Sequence, residues 1–346
     1  MSFLGAFSLS IHSRKISGHR LALMMSTSLL SMGTYGHLRS ANAANECGVI
    51  AVGGTATCTP AGNNSTGGSE YDVHDATVVL QDGVIVSTTS NNTTAIANGA
   101  IAAPRGNLST TTQGTVAITT TGTTSYGIGV GTSNGSIAIT TSADTTITTS
   151  GNGSFGIGAS GGGGNSITIT TPGSISTSGI GATGIVAVNA GGATNINAGQ
   201  VTVTGGGATS GIYVANTGGT IDITSSGVSA INGYGIRALS SGAGSGAVNV
   251  TTTGPVASSN FGIFAGSQFG SATINAGAPV TVTGAGSSAL LLFSTTGNLA
   301  STSSGLTSSG NGGYGIYALN TTGAISLTDT GSITSSGHGF FSQSTG

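Results

Sequence analysis

Charged side chains are scarce in this chain. Asp, Glu, Lys and Arg together make up only 4% of its 346 residues, whereas glycine alone contributes 64. A composition so poor in charge and so rich in glycine is compatible with a collagen or with a disordered chain. Glycine does not recur at every third position, which excludes a collagen triple helix. Disorder stays an alternative, because Ser and Thr are abundant and apolar residues are few.

Carboxylates and histidines are too few and too scattered to predict a catalytic site. The only acids after residue 100 are Asp144, Asp222 and Asp329, in widely separated segments. Glycoside hydrolysis needs two carboxylates flanking one bond, and a serine triad needs a histidine base. Without the N-terminal signal described below, only His74 and His338 remain. We therefore predict no enzyme, no cofactor and no metal site.

Cysteine is equally rare, since Cys47 and Cys58 are the only two. Two closely spaced cysteines in an exported chain favour one local disulfide over a catalytic thiol. A metal site lacks ligands here, because only His74 lies nearby. We expect a Cys47–Cys58 disulfide to hold together an N-terminal cap over residues 44–75.

Residues 1–43 have the order of a secretory signal peptide with an extended N-terminal region. Arg14, Lys15 and Arg20 precede an apolar run from Leu21 to Leu30, and Ala41-Asn42-Ala43 offers a cleavage site of small residues. The run is too short to span a membrane. Removing the segment leaves a net charge of about −6, so nucleic acid and anionic membrane surfaces are not expected partners.

A short phrase recurs through the rest of the chain, most plainly as Gly233-Tyr234-Gly235-Ile236 and Gly313-Tyr314-Gly315-Ile316. Its central residue, which is Gly in all copies but one, lies at positions 127, 156, 184, 211, 235, 262, 289, 315 and 339. The mean interval is about 26 residues, and self-similarity at such a period is typical of a solenoid.

Two further segments of alternating apolar and small polar residues follow each copy of the phrase. Ile137–Thr140 and Thr145–Thr148 are the first pair. Alternation with a period of two predicts strands that bury one face, and Gly, Asn and Ser clusters between them predict turns. Three strands in a turn of about 26 residues predict an all-β, right-handed parallel β-helix over residues 76–346. No segment after residue 45 has the apolar spacing of a helix.

One outward position of the repeat carries large side chains. If the Ile of the phrase points inward, the next residue points outward. Along the repeats this position is occupied by Gly129, Gly158, Val186, Tyr213, Arg237, Phe264, Leu291, Tyr317 and Phe341. We expect the last six, from Tyr213 to Phe341, to form a strip with a step of about 4.8 Å per turn that binds a sugar or a protein. The alternative is that neighbouring turns stack these side chains for stability.

An extended signal followed by a Cys-poor repeat rich in Gly, Ser, Thr and Asn resembles the passenger regions of bacterial autotransporters, the type V secretion family. The Tyr-Gly-Ile segments at 126–130, 234–238 and 314–318 resemble that family's passenger-associated repeats. The resemblance implies export across the inner membrane and passage through an outer-membrane translocator barrel. Alternating membrane strands are not seen before Gly346. The barrel is therefore expected in a missing C-terminal part or in a separate chain.

The expected protein is a β-helical passenger that reaches the cell surface, the outer membrane or the extracellular space through the periplasm. Its expected role is that of an adhesin-like protein or a structural stalk, with a host-surface glycan or protein as partner. Parallel β-helices also include polysaccharide lyases and glycoside hydrolases. The competing interpretation is therefore a carbohydrate-active enzyme whose catalytic residues lie in missing sequence.

Overall fold

A computed structural model describes residues 47–60, 64–65, 67–99, 106–207 and 209–344. Over these residues the chain is an all-β parallel solenoid of about ten turns, with about 27 residues per turn and no helix. The predicted parallel β-helix is confirmed. Within the same ranges no helix has the length and apolar character needed to cross a lipid bilayer. The predicted signal peptide at residues 1–43 lies outside the described residues.

The described chain forms 29 strands, most of them short. In order they are β1 (Thr55–Cys58), β2 (Asn64–Ser65), β3 (Ser69–Tyr71), β4 (Thr77–Leu80), β5 (Ile85–Thr88), β6 (Ile96–Asn98), β7 (Leu108–Thr112), β8 (Ala117–Thr120), β9 (Tyr126–Thr132), β10 (Ile137–Thr140), β11 (Thr146–Thr149), β12 (Phe155–Gly161), β13 (Ile167–Thr171), β14 (Ser174–Thr177), β15 (Thr183–Asn189), β16 (Thr194–Val203), β17 (Thr209–Ala230), β18 (Gly233–Thr252), β19 (Val256–Ser258), β20 (Ile263–Ser267), β21 (Ala272–Ala276), β22 (Val280–Val282), β23 (Ser288–Ser294), β24 (Leu299–Ser303), β25 (Leu306–Ser308), β26 (Tyr314–Asn320), β27 (Ile325–Asp329), β28 (Ile333–Ser335) and β29 (Phe340–Ser344).

Strands of successive turns pair in parallel and build three ladders along the solenoid. The first ladder contains the repeated phrase and runs β3, β6, β9, β12, β15, β17, β18, β20, β23, β26, β29. The second runs β1, β4, β7, β10, β13, β16, β17, β18, β21, β24, β27. The third runs β2, β5, β8, β11, β14, β16, β17, β19, β22, β25, β28. Strands β16, β17 and β18 continue around corners and so contribute to more than one ladder.

The core is a column of aliphatic side chains between the three ladders. Ile236 of the phrase pairs with Ile212 in the turn before it and with Ile263 in the turn after it, and all three are buried. Alternating residues of the other ladders, such as Val250 and Val256, join the same core cluster. Stacking like residues in register buries each one against its own kind, so the sequence repeat becomes a continuous hydrophobic core.

The glycine of the phrase lies where the first ladder comes closest to the third. A Cβ on Gly235 would stand 2.4 Å from the carbonyl oxygen of Gly262 and 2.5 Å from a methyl group of Val256. The strand pairing runs from Tyr234 to Ile236 and skips this glycine. The regular alternation of side chains is therefore interrupted at this glycine. The residue before the glycine points to the opposite side of the strand from the one that strict alternation predicts.

The N-terminal segment carries the predicted disulfide between Cys47 and Cys58. Cys58 ends β1, and its side chain is buried in the core. Strands β1, β2 and β3 pair in parallel with β4, β5 and β6. The ladders thus extend into the segment that the sequence predicts as a cap, residues 44–75, because strands there alternate in the same way as the later ones.

Candidate binding surface

The six strip residues predicted from the sequence lie in one column on the outer face of the first ladder. Pairing in register joins Tyr213, Arg237, Phe264, Leu291, Tyr317 and Phe341, in that order. Val186, Gly158 and Gly129 continue the column toward the N-terminus. We call this line of residues the middle column.

A second outward column precedes it and is absent from the sequence prediction. This leading column consists of Tyr126, Phe155, Thr183, Ser210, Tyr234, Phe261, Ser288, Tyr314 and His338. Strict alternation from the buried Ile would point these residues inward. They point outward because the glycine of the phrase is skipped in the strand pairing. The only sign of this orientation in the sequence is that the glycine repeatedly follows an aromatic residue.

A third outward column follows the middle column along each strand. This trailing column reads Gly131, Ser160, Val188, Ala215, Leu239, Gly266, Phe293, Leu319 and Gln343. Leu239 and Phe293 are buried in a small cluster of their own, with Phe264 and Leu319 packed against them. Leu239 and Phe293 flank Gly266 in the column, so their side chains reach over a position that has none.

The outer face of the first ladder differs from the outer faces of the other two. Outward positions of the second ladder hold residues such as Asn195, Asp222, Asn249 and Thr273, paired in register. The third ladder presents mainly Thr and Ser, for example Thr148. Outward aromatic side chains of the described strands therefore gather on one of the three faces, mainly in its C-terminal half, although Ile85 is exposed on the third ladder.

Outward orientation does not expose all strip residues equally. Tyr213 is only 3% exposed and belongs to a packed outer cluster with Phe155, Val186 and Ala215. The other five strip residues are partly exposed. Tyr213 therefore does not present its ring to solvent as expected, because side chains of the neighbouring turns cover it.

Aromatic rings contact one another closely at the C-terminal end of the face. The Tyr317 and Phe341 rings stack with centroids 4.8 Å apart, and Tyr314 lies 5.0 Å from Tyr317 and 5.7 Å from the His338 ring. Burial raises the pKa of the Tyr317 hydroxyl above its ordinary value, and Tyr314 adds to the rise. Neighbouring turns thus do stack these side chains, and the stack leaves part of each ring at the surface.

Arg237 is the one strongly basic side chain of the described part of the chain. Its guanidinium carbon lies 5.3 Å from the Tyr213 ring centroid and 5.4 Å from that of Tyr234. Distances of this size are those of cation–π contacts. The Nε atom of Arg237 is buried and has no hydrogen-bond partner.

One acid, Glu70, is in register with Ala97 and Gly129 at the N-terminal end of the middle column, whereas Asp222 and Asp329 lie on the second ladder. Asp222 stands on the outer side of the second ladder and accepts a hydrogen bond of 2.8 Å from the Asn249 amide. Asp329 ends β27 and accepts a hydrogen bond of 2.5 Å from the Ser303 hydroxyl. Within the described ranges, His, Cys, Asp and Glu form no group of three or more that could hold a metal ion.

Relatives give no further guide to this surface. Comparison of the chain with protein-family models, curated proteins and solved structures finds no match. The function of this surface is therefore inferred from its geometry.

Proposed function

We propose that this protein is an exported β-helical passenger of the autotransporter type, which binds a partner through the outer face of its first ladder. The observation that carries the proposal is the concentration of aromatic side chains on the outer side of that ladder. Partly exposed aromatic surface of this kind marks interaction sites on soluble proteins. An outer-membrane translocator barrel and a host-surface glycan or protein are the proposed partners.

Length and repetition supply the proposed mechanism. A solenoid holds equivalent positions at a fixed step of about 4.8 Å, so several weak ring contacts can engage one extended partner at the same time. Contacts linked in this way gain affinity through avidity rather than through the strength of any single one. The rigid stack would also hold this face at a distance from the cell that displays it.

The double variant Phe264→Ala/Tyr317→Ala tests the proposal. Loss of two partly exposed rings, separated by one turn, should weaken binding to target cells or to a glycan array by about tenfold or more. Thr251→Ala/Thr281→Ala, on the outer sides of the other two ladders, is the matched control and should bind as the unchanged protein does.

Folding is checked in the same samples, because Phe264 packs against Leu239 and Phe293. The circular dichroism spectrum should keep its β form, with a modest fall in melting temperature. If the double variant folds and binds as the unchanged protein does, the apolar face serves only for packing between turns.

A further inference from the structure

We propose that Arg237 and the rings around it form a binding site for the carboxylate of an acidic sugar. The inference rests on the proposed function and names the class of partner. It assigns the charge to Arg237 and the apolar contact to Phe264, its in-register neighbour one turn further on.

Within the part of the chain that the structure describes, no carboxylate pairs with the charge of Arg237. Its guanidinium contacts the Tyr213 and Tyr234 rings, and its Nε is buried without a hydrogen bond. A buried N–H without an acceptor costs free energy, and for a charged group the cost is larger. Arg237 is nevertheless partly exposed, and a carboxylate can approach the outer edge of its planar guanidinium, which binds carboxylates through two parallel hydrogen bonds.

The two tyrosines hold the guanidinium in place. Rings on both Tyr213 and Tyr234 contact it, so few of its rotamers remain open before a ligand arrives. Tyr234 is itself stacked on Phe261 of the next turn, with ring centroids 5.7 Å apart. A cation that is ordered in advance loses less entropy on binding.

The surface beside the charge favours a sugar as the ligand. Phe264 is partly exposed and lies one strand spacing, about 4.8 Å, from Arg237 in the same column. A uronic acid carries its carboxylate directly on a ring whose C–H face packs on an aromatic side chain. A sugar ring packed on Phe264 therefore holds its carboxylate on the same outer face as the guanidinium of Arg237. A Glu or Asp side chain offers the charge without the ring.

The test compares two probes that share the same sugar rings, one charged and one neutral. Purified protein is titrated with a galacturonic acid tetramer and with the same tetramer fully methyl-esterified, which keeps the rings and removes the charge. We expect the acid to bind about tenfold to a hundredfold more tightly than the ester, with the difference shrinking as salt is added. Arg237→Gln should abolish the difference and leave ester binding unchanged. Arg237→Lys should keep only part of it.

A polyglutamate peptide distinguishes carboxylate recognition from sugar recognition. Competition by the peptide as effective as that of the tetramer would overturn the assignment to a sugar. Equal affinity for acid and ester, or an Arg237→Gln protein that still prefers the acid, would overturn the assignment to Arg237. Arg237→Met, which keeps the apolar stem between the rings, replaces Arg237→Gln if that variant melts at a lower temperature, and the same outcome is expected.

Failure of this inference is distinguishable from failure of the proposed function. If Phe264→Ala/Tyr317→Ala loses cell binding while the unchanged protein treats acid and ester alike, the binding face stands and its ligand is not an acidic sugar. If the double variant binds cells normally, the proposed function fails, whatever the tetramers show.

Discussion

At the scale of single residues, the repeated glycine is required because a Cβ atom at its position would collide with the packing of the turn. In seven turns a Cβ on this glycine would meet a methyl group of Val or Ile in the third ladder at 2.1 to 2.5 Å. Two copies differ: a Cβ on Gly339, in the last turn, would lie 3.7 Å from Ile333, and at Ala289 the corresponding position of the third ladder holds Leu306. Leu branches one carbon further from the backbone than Val or Ile, so it leaves room for the alanine methyl group.

This complementarity predicts a favourable coupling between the two positions. Gly235→Ala should lower the free energy of unfolding by about 1–3 kcal/mol, because it overpacks against Val256 and the Gly262 carbonyl. Val256→Leu, which copies the Leu306 turn, should recover part of that loss when combined with Gly235→Ala. Chemical unfolding of the two single variants and the double variant gives the coupling energy. Strictly additive effects would show that the contact with Val256 does not set the choice of glycine.

At the scale of strands, the third ladder contains a row of buried hydroxyls. Thr88, Thr120, Thr149 and Thr177 stack in register inside the core, and none of their hydroxyls has a hydrogen-bond partner. Further along the same row the solenoid places Val203. A buried hydroxyl without a partner costs free energy that a methyl group does not.

Thr149→Val should therefore raise the free energy of unfolding by about 1 kcal/mol. The neighbouring Thr148→Val is the matched control, because Thr148 is exposed and loses no buried polar group. Urea unfolding of both variants provides the comparison. A loss of stability in Thr149→Val, or equal effects of the two changes, would mean that water or a rotated side chain satisfies this row.

Strands and their register were predictable from the sequence because each turn repeats the same alternation. The leading column was not, since the glycine of the phrase interrupts the strand pairing and reverses the side on which Tyr234 and Phe261 stand. Burial of Tyr213 was also beyond the pattern, because Arg237 from the following turn covers its ring. Alternation predicts which way a side chain points. It does not predict what the neighbouring turn places over it.

At the scale of the whole molecule, the solenoid is a chain of turns that each contact only their neighbours. The stability of such a stack is close to the sum of the stabilities of its turns and of the interfaces between them. A destabilising substitution in a central turn therefore affects both halves. Ile236 is fully buried near the middle of the stack, between Ile212 and Ile263. Thr251 stands in the same turn but on the outer side of the second ladder.

Ile236→Asp should therefore open the stack at its centre, whereas Thr251→Asp should be tolerated. A carboxylate placed among aliphatic neighbours lacks both water and a counter-ion, and burial of an unpaired charge is among the most costly of point changes. The two variants carry the same added charge, so a difference between them reports the location alone. Limited proteolysis should cleave Ile236→Asp rapidly near the β17–β18 junction and yield two large fragments. Thr251→Asp should resist the protease as the unchanged protein does. Equal cleavage of the two variants would contradict the inward orientation of the phrase, and with it the alignment that builds the binding face.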